Sequence, residues 1–527
     1  LGDPNGKTAR ASARCCVAEA KRLQGGYSRI MDREIELKFL IAPEASDAIL
    51  ARLGADGAVR RLDATYYDTA DHALRRAGFG LRVRDGDGGR KQTLKSASAG
   101  GVFSRGEWEA PVSGPGPDRD LLDQTPAGRI VNGDVLAPVF AAKVERTLRL
   151  VEHAGAVIEA ALDRGELQAG TDRAAVSELE LELKTGEPAA LFDLARDLMT
   201  HAPLRLSLVS KAERGYALAL GEAPGARREA AVLTKGMTAA EAFQALGNTA
   251  LGRLCVAAEA LADLPGPDAL HNLRVAARRL RALLKLFRPV TGKLAATPAA
   301  DALKALADAL GPARDLDVYV AETWRPAAEA DPQPVEGLAA LGKALVEAQQ
   351  RAYADALKAA APGRFGPLAL DIAAWLEAGD WLADPERVED RGAPAKAFAA
   401  ARLKKLSKAV LTRGADLEAL DAEARHRLRI QGKGLRYAID ALAPLFPDHP
   451  KRLERWSAAT RDLQDALGGL NDHALGAALA RQAALADGDP KAAYAAGALS
   501  ASPDATDRLM REAKAALAEL NDLKPFW

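Results

Sequence analysis

Glu34, Glu36 and Lys38, in the stretch Glu-Ile-Glu-Leu-Lys, alternate with apolar residues, so in a strand all three side chains share one face. Two carboxylates and an ammonium on one face are costly unless something binds there. The same alternation returns at Glu178, Glu180 and Glu182, with Leu179, Leu181 and Leu183 opposite. Clustered carboxylate oxygens are ligands for hard cations such as Mg2+ or Mn2+, and two acidic strands that converge would build such a site. Basic residues alternate too: Arg82 with Arg84, then Lys95 on the next segment, and Arg105 with Glu107 and Glu109. Arg146, Lys211 and Arg214 add positive charge. A sheet that turned these side chains inward would set metal-binding carboxylates beside a cradle of arginine and lysine. That pairing suits a polyanion carrying phosphates, because forked guanidinium groups take phosphate oxygens in pairs. No serine or cysteine lies in a nucleophile motif, and Cys255 reads as a small core residue.

The elements that must hold these residues change character along the 527-residue chain, which is long enough for two or three domains. From Met31 to about Leu220 the period is two, with short alternating runs at 80–84, 92–95, 106–109, 157–161 and 178–184 separated by turn residues. Helical spacing interrupts at 43–53 and 188–199, so this half is α+β with an antiparallel sheet or barrel. Residues 221–231 read as a linker. Residues 1–30 carry no consistent period and are set aside as a leader, whether a disordered tail, a tag or an upstream extension of the reading frame. The 72 basic and 72 acidic residues balance, so any electrostatic specialisation is local. Three cysteines without metal-ligand spacing suit a reducing compartment, and no apolar run approaches the roughly 18 residues of a bilayer span.

Beyond residue 231 the chain is helical and duplicated. His271, Arg274, Arg278 and Arg281 recur as His426, Arg429, Lys433 and Arg436, each 155 residues later (426 − 271 = 155). Phe243 and Phe398 share that offset, which places two repeats at about 232–385 and 386–527. In the first copy the basic residues, extended by Lys285, form one helical stripe, with Leu270, Leu273, Ala277, Leu280, Leu284 and Phe287 on the other side. Stretches this one-signed suit an extended polyanion. Nucleic acid is the physical competitor, yet the stripes lack interleaved aromatics on which bases would stack, Tyr437 being a lone candidate.

Glu34-x-Glu36-x-Lys38, Thr65-Tyr-Tyr-Asp-Thr69, Leu81-Arg-Val-Arg84, Thr93-Leu-Lys95, Leu162-Asp-Arg-Gly165, Glu178-x-Glu180-x-Glu182 and Ser210-Lys-Ala-Glu-Arg214 resemble, in order, the landmarks of the CYTH family of triphosphate tunnel metalloenzymes. The repeat half resembles the CHAD domain, with His271 and His426 at its matching histidines. Together they are similar to bacterial CYTH–CHAD inorganic triphosphatases.

The resemblance implies an eight-stranded antiparallel tunnel barrel at 31–220 and an all-α duplicated bundle at 232–527. It implies Glu34, Glu36, Glu178 and Glu180 as metal ligands, with Asp163 and Glu182 contributing, and Mg2+ or Mn2+ as cofactor. Lys38, Arg82, Arg84, Lys95, Arg146, Lys211 and Arg214 fall on the phosphate side. Lys38 then reads as part of the cradle rather than as a counter-ion for its neighbours. Glu34, Glu36 and Lys95 would carry hydrolysis of inorganic triphosphate to pyrophosphate and phosphate. His271, Arg274, Arg278, Arg281, Lys285, His426, Arg429, Lys433 and Arg436 would bind inorganic polyphosphate. The expected location is cytoplasmic, at polyphosphate granules if the helical half takes it there. Rival readings are a nucleoside or thiamine triphosphatase, a class IV adenylate cyclase using the same tunnel, and a non-catalytic polyphosphate-binding protein. Tyr67 reads as a packing residue, and Glu107 and Glu109 either line the tunnel mouth or pair with Arg105.

Overall fold

The computed structural model describes residues 28–29, 35–54, 57–86, 89–96, 106–225, 231–292, 298–330, 335–499 and 503–527. Glu34 and Arg105, like most of the leader, lie outside them. Ten strands make one antiparallel sheet: β1 (Ser28–Arg29), β2 (Glu36–Ile41), β3 (Ala58–Asp68), β4 (Phe79–Asp85), β5 (Lys91–Ser96), β6 (Glu107–Pro111), β7 (Ala137–His153), β8 (Ala156–Ala169), β9 (Asp172–Thr185) and β10 (Leu204–Leu206). Their order is β1-β6-β5-β4-β3-β7-β8-β9-β2-β10. The antiparallel sheet is as expected, but the strand count and closure differ. Eight strands of five residues or more are flanked by two short edge strands, and among the described residues the ladder stays open between those edges. Ser28 and Arg29, in the segment set aside as leader, pair with Glu109 and Trp108.

The alternation places charge inside and leucine outside. Leu37, Phe39, Leu179 and Leu181 pack outward against Ile49 and Leu53 of α1 (Ser46–Leu53) and Leu191, Phe192 and Leu194 of α2 (Pro188–Met199). Leu81 and Leu94 pack outward against Leu74, Leu122 and Val131, with Tyr67 beside them as expected of a packing residue. On the charged face, side chains two strands apart meet at bonding distance: Arg146 of β7 reaches Glu180 of β9 at 2.6 Å. Strands two apart are separated by roughly 9.5 Å along a flat sheet, so this face is the concave one.

One end of the concavity is filled by Ala64, Tyr66, Phe140, Ala142, Val176 and Tyr216. Tyr216 belongs to α3 (Lys211–Leu220), a helix that the sequence reading did not anticipate. Ser210 and Glu213 form its capping box, and Gly221 closes it in the left-handed region at φ 64°. Tyr216 donates through its hydroxyl to Asp68 Oδ2 at 2.7 Å. Asp68 is fully buried and also accepts from the backbone N–H groups of Thr69, Leu74 and Arg75. The Tyr-Tyr-Asp-Thr landmark thus anchors α3.

Beyond the linker lie α4 (Ala239–Asp263), α5 (Pro267–Leu286), α6 (Pro298–Tyr319), α7 (Leu338–Ala360), α8 (Pro362–Ala378), α9 (Ala395–Gly414), α10 (Ala422–Leu442), α11 (Pro450–Asp487), α12 (Pro490–Leu499) and α13 (Pro503–Asp522). α5 and α10 start 155 residues apart (422 − 267 = 155), the offset of the two histidines. The repeats join at equivalent places: Ala239 N donates to Ala393 O at 2.8 Å and Ala395 N to Met237 O at 2.9 Å. Phe287 stacks against Phe398 and also meets Phe243, whose counterpart Phe398 is. Among the described residues no helix is long and apolar enough to cross a membrane.

The two halves share one apolar cluster, in which Leu204 and Leu206 of β10 join Phe365 and Leu368 of α8. Gly366 lets α8 approach, since a Cβ there would sit 2.4 Å from Leu204 O. Gly215 is as tightly placed, with a Cβ position 2.0 Å from the buried Phe140 ring, which stacks on Tyr66. Gly215→Ala should therefore displace α3 and cost about 1–3 kcal/mol, measured as a lower urea midpoint. A midpoint equal to the parent's would show that α3 is not held by this contact.

Candidate active site

Three carboxylates from two adjacent strands converge on a single ammonium inside the concavity. Lys211 Nζ of α3 lies 2.8 Å from Asp163 Oδ2, 2.6 Å from Glu178 Oε2 and 2.7 Å from Glu180 Oε1. Asp163 and Glu178 are directly paired in the ladder, and both side chains are sealed from solvent. Arg146, opposite Asp163 on β7, completes the cluster with a forked contact to Asp163 at 2.7 Å from both Nε and Nη2. Lys38, opposite Glu180 on β2, lies 3.0 Å from it and 3.6 Å from Glu36. Lys38 thus lies against carboxylates of its own and the neighbouring strand in this structure. Lys211, Arg146 and Arg214, assigned to the phosphate side, likewise lie against carboxylates in this structure.

The electrostatics follow from burial opposed by proximity. Burial works against the charge on Lys211, but Glu180, Glu178 and Asp163 outweigh it and hold the ammonium well above its ordinary 10.5. Burial pushes the Glu180 carboxyl up, and Lys211, Lys38 and Arg146 outweigh that, holding it well below its ordinary 4.5. Lys38 is raised in the same way, burial being overcome by Glu180 and Glu36.

The second group lies on β4, β5 and β6. Lys95 pairs with Glu107 at 3.2 Å, and Glu109 lies 2.6 Å from Lys91 and 3.5 Å from Arg84. Glu107 and Glu109, which sequence reasoning left between two roles, thus sit among the bases of this face. Lys91 was missed, although it stands in register with Arg84 and belongs to the same alternation. Arg84 is held below its ordinary value by burial and by the nearby Arg82 and Arg146, which Glu109 only partly offsets. Burial disfavours the charge on Arg82, and the Tyr66 phenol and Glu107 more than restore it. Arg82 and Arg146 are thus near enough to oppose the charge on Arg84, while Glu107, Glu109, Asp163 and Glu180 lie among the three guanidinium groups. Glu182 lies opposite Glu36 in the ladder and pairs with Lys184.

Asp163, Glu178 and Glu180 are hard oxygen donors of the kind Mg2+ or Mn2+ takes. Both Glu178 oxygens are buried without a hydrogen bond of good geometry, despite the close Lys211 ammonium. The donor set fits a divalent cation. Among the described residues no group of three or more His, Cys, Asp or Glu side chains is arranged to hold a metal ion as it stands, and here the carboxylates surround an ammonium instead.

In the helical half, Leu270, Leu273, Ala277, Leu280, Leu284 and Phe287 are buried as expected. His271, Arg274 and Arg278 are half-buried on the other side of α5, and Arg281 and Lys285 are exposed. Arg274 is not free: it lies 3.0 Å from Asp315 and donates to Gly311 O at 2.6 Å. Arg278 sits 5.7 Å over the Tyr437 ring of α10, joining the two repeats. Tyr437 is buried there and unavailable for stacking bases. On α10, His426 meets Asn471 at 3.1 Å and Arg436 donates to Gln464 at 3.0 Å, while Arg429 and Lys433 are half-buried. His271 is lowered from its ordinary 6.5 by burial and by Arg314, Arg278 and Arg274.

Residues 32–216 match the CYTH domain model and residues 245–481 the CHAD domain model. An inorganic triphosphatase of Haemophilus influenzae is 33% identical over 204 residues, covering 36% of this chain and 56% of that protein. An uncharacterised protein of Mycobacterium tuberculosis is 30% identical over 413 residues, covering 72% of this chain and 76% of that one. The solved CHAD domain of Ricinus communis is 29% identical, with a TM-score of 0.47, over 56% of this chain and 96% of its own.

In metal-free protein the carboxylate cluster should stabilise the fold only inside a pH window. As pH falls from about 4.5 toward the depressed Glu180 value, the unfolded chain takes up the proton first and stability drops. As pH rises from about 10.5 through the raised Lys211 value, the folded chain keeps a proton that the unfolded one has released, and stability drops again. Urea midpoints followed across this range should show a shallower acid limb in Glu180→Gln than in the parent. Equal acid slopes would remove Glu180 as the anchor.

Proposed function

This chain belongs to the proteins in which a CYTH domain precedes a CHAD domain, and from that premise we propose that it hydrolyses inorganic triphosphate to pyrophosphate and phosphate with Mg2+ or Mn2+. The observation that carries the reading is the crowding of Arg82, Arg84 and Arg146 beside a cluster of carboxylates on the concave face. A triphosphate is the anion whose several charged oxygens answer both halves of that site. The triphosphatase relative supports the substrate class.

Arg82, Arg84 and Lys95 would take phosphate oxygens, releasing Glu107 and Glu109 from their pairs, and Arg146 would shift part of its fork from Asp163 and Glu180 to the substrate. Glu36, Asp163, Glu178 and Glu180, with Glu34 beyond the described residues and Glu182 at the side, would hold the divalent cation. Bound there, the cation would neutralise and polarise the phosphate oxygens. Water attacks a terminal phosphorus in line with the bridging oxygen; the new P–O bond forms as the bridging one breaks, and pyrophosphate leaves. Glu36, which pairs with Lys38 at the long distance of 3.6 Å, would accept the water's proton. Lys95 and Arg84 neutralise charge on the departing phosphates.

Phosphate release from tripolyphosphate, ATP and thiamine triphosphate at matched Mg2+ or Mn2+ tests this. Tripolyphosphate should turn over fastest; faster ATP turnover would overturn the substrate. Lys95→Ala should lower kcat/KM about 10²-fold or more through lost substrate orientation, and Glu36→Gln should raise the metal requirement. Parent-like turnover in both variants would displace the site.

We further propose that the helical half binds inorganic polyphosphate along α5 and α10, through His271, Arg274, Arg278, Arg281 and Lys285 and through His426, Arg429, Lys433 and Arg436. The positive surroundings of His271 support an anion there. Arg274→Glu combined with Arg429→Glu should weaken polyphosphate binding about tenfold or more and flatten its dependence on salt. Binding that survives both changes, with circular dichroism unchanged, would sink the basic-groove reading.

A further inference from the structure

Arg214 lies between carboxylates of the two halves. Its Nη1 is 3.5 Å from Glu178 Oε1 on β9, and its Nη2 is 3.3 Å from Glu259 Oε1 on α4. All three side chains are largely withdrawn from solvent, at 14%, 0% and 25% exposure for Arg214, Glu178 and Glu259. A relaxed guanidinium–carboxylate pair closes to about 2.7–2.9 Å, so Arg214 is shared between its partners and fully closed on neither. Its Nε is buried without a hydrogen-bond partner and so offers no competing anchor. One turn along α4, Asp263 lies 3.6 Å from Arg205 of β10, so the same edge of the helix grips the N-terminal half twice. Arg214 and Lys211 stand three residues apart on α3, and Lys211 already holds the other oxygen of Glu178 at 2.6 Å.

We propose that Glu259 of the helical half is a positioning residue for the metal-binding carboxylates: it holds Arg214 back from Glu178 and so leaves Glu178 Oε1 available to a divalent cation. Without the Glu259 charge, Arg214 closes onto Glu178, which then carries two cations and becomes a poor ligand for a third. The site in the sheet is thereby completed by a residue of the other half. This inference rests on the reading of Glu178 as a metal ligand.

The test uses full-length parent, Glu259→Gln, Glu259→Asp, Arg214→Gln and the Glu259→Gln/Arg214→Gln double variant. Mn2+ uptake is read from the paramagnetic resonance signal of free Mn2+, independently of turnover. Glu259→Gln should raise the Mn2+ dissociation constant about tenfold, the scale on which groups that orient a metal's ligands act, with kcat near the parent's once Mn2+ saturates. Glu259→Asp keeps the charge and should stay within about threefold of the parent. In the Arg214→Gln background Glu259→Gln should add little, because Glu259 acts only through Arg214. Unchanged Mn2+ affinity in Glu259→Gln, an equal loss in Glu259→Asp, or full additivity with Arg214→Gln would each overturn the proposal. A parent that binds Mn2+ without releasing phosphate from tripolyphosphate defeats the substrate reading alone, and the Mn2+ comparison still decides this one. A parent that takes up no Mn2+ defeats both.

Discussion

The Lys211 ammonium, set among Asp163, Glu178 and Glu180, is the contact on which the rest of the N-terminal half depends. Two of those carboxylates have no exposure at all, and a buried charge stripped of its partner costs about 3–5 kcal/mol. The flanking strands supply part of the neutralising charge, through Arg146 of β7 and Lys38 of β2. The ammonium that reaches all three carboxylates comes from a helix, and everything that places α3 inherits the constraint: the Ser210 capping box, the Gly215 contact with Phe140 and the Tyr216 bond to Asp68.

A sheet with charge on its concave face must find its apolar core elsewhere. Leu37 and Phe39 of β2, Ile158 and Leu162 of β8 and Leu179 and Leu181 of β9 face outward, and α1 and α2 cover them. That cover is continued by the helical half, where α8 meets α2 and β10 and Arg196 reaches Asp371 at 2.9 Å. The inverted alternation that puts charge in the interior is thus the reason the two halves share one apolar cluster. It also brings α4 close enough for Glu259 to touch the chemistry of the sheet.

The helical half repeats a similar economy. Its duplicated helices bury one apolar stripe each and leave a basic stripe on the other side, and the repeats are tied at equivalent positions by backbone hydrogen bonds and by Arg278 over Tyr437. Charge that looked unopposed along α5 is partly met by Asp315 on α6, which follows the histidine helix in the chain.

Strand periodicity is local, so it was enough to tell that Glu36 and Lys38, or Glu178, Glu180 and Glu182, share a face, and helical periodicity did the same for the stripes of α5. The repeat offset was legible because duplication preserves spacing. β7 passed unread, since its mix of alanine, charge and proline follows no clean alternation, and so did α3, whose ten residues are held by tertiary contacts more than by an apolar stripe. Glu107, Glu109 and Lys91 were visible as types but not as partners, because pairing depends on register between strands. By itself the sequence determined which side chains travel together. Only the tertiary structure decided that the charged face is concave, that Lys38, Lys211 and Arg146 lie against Glu180, and that Glu259 joins Arg214. Those outcomes come from packing and register between segments far apart in the chain, where the energy of each contact depends on what else is buried beside it.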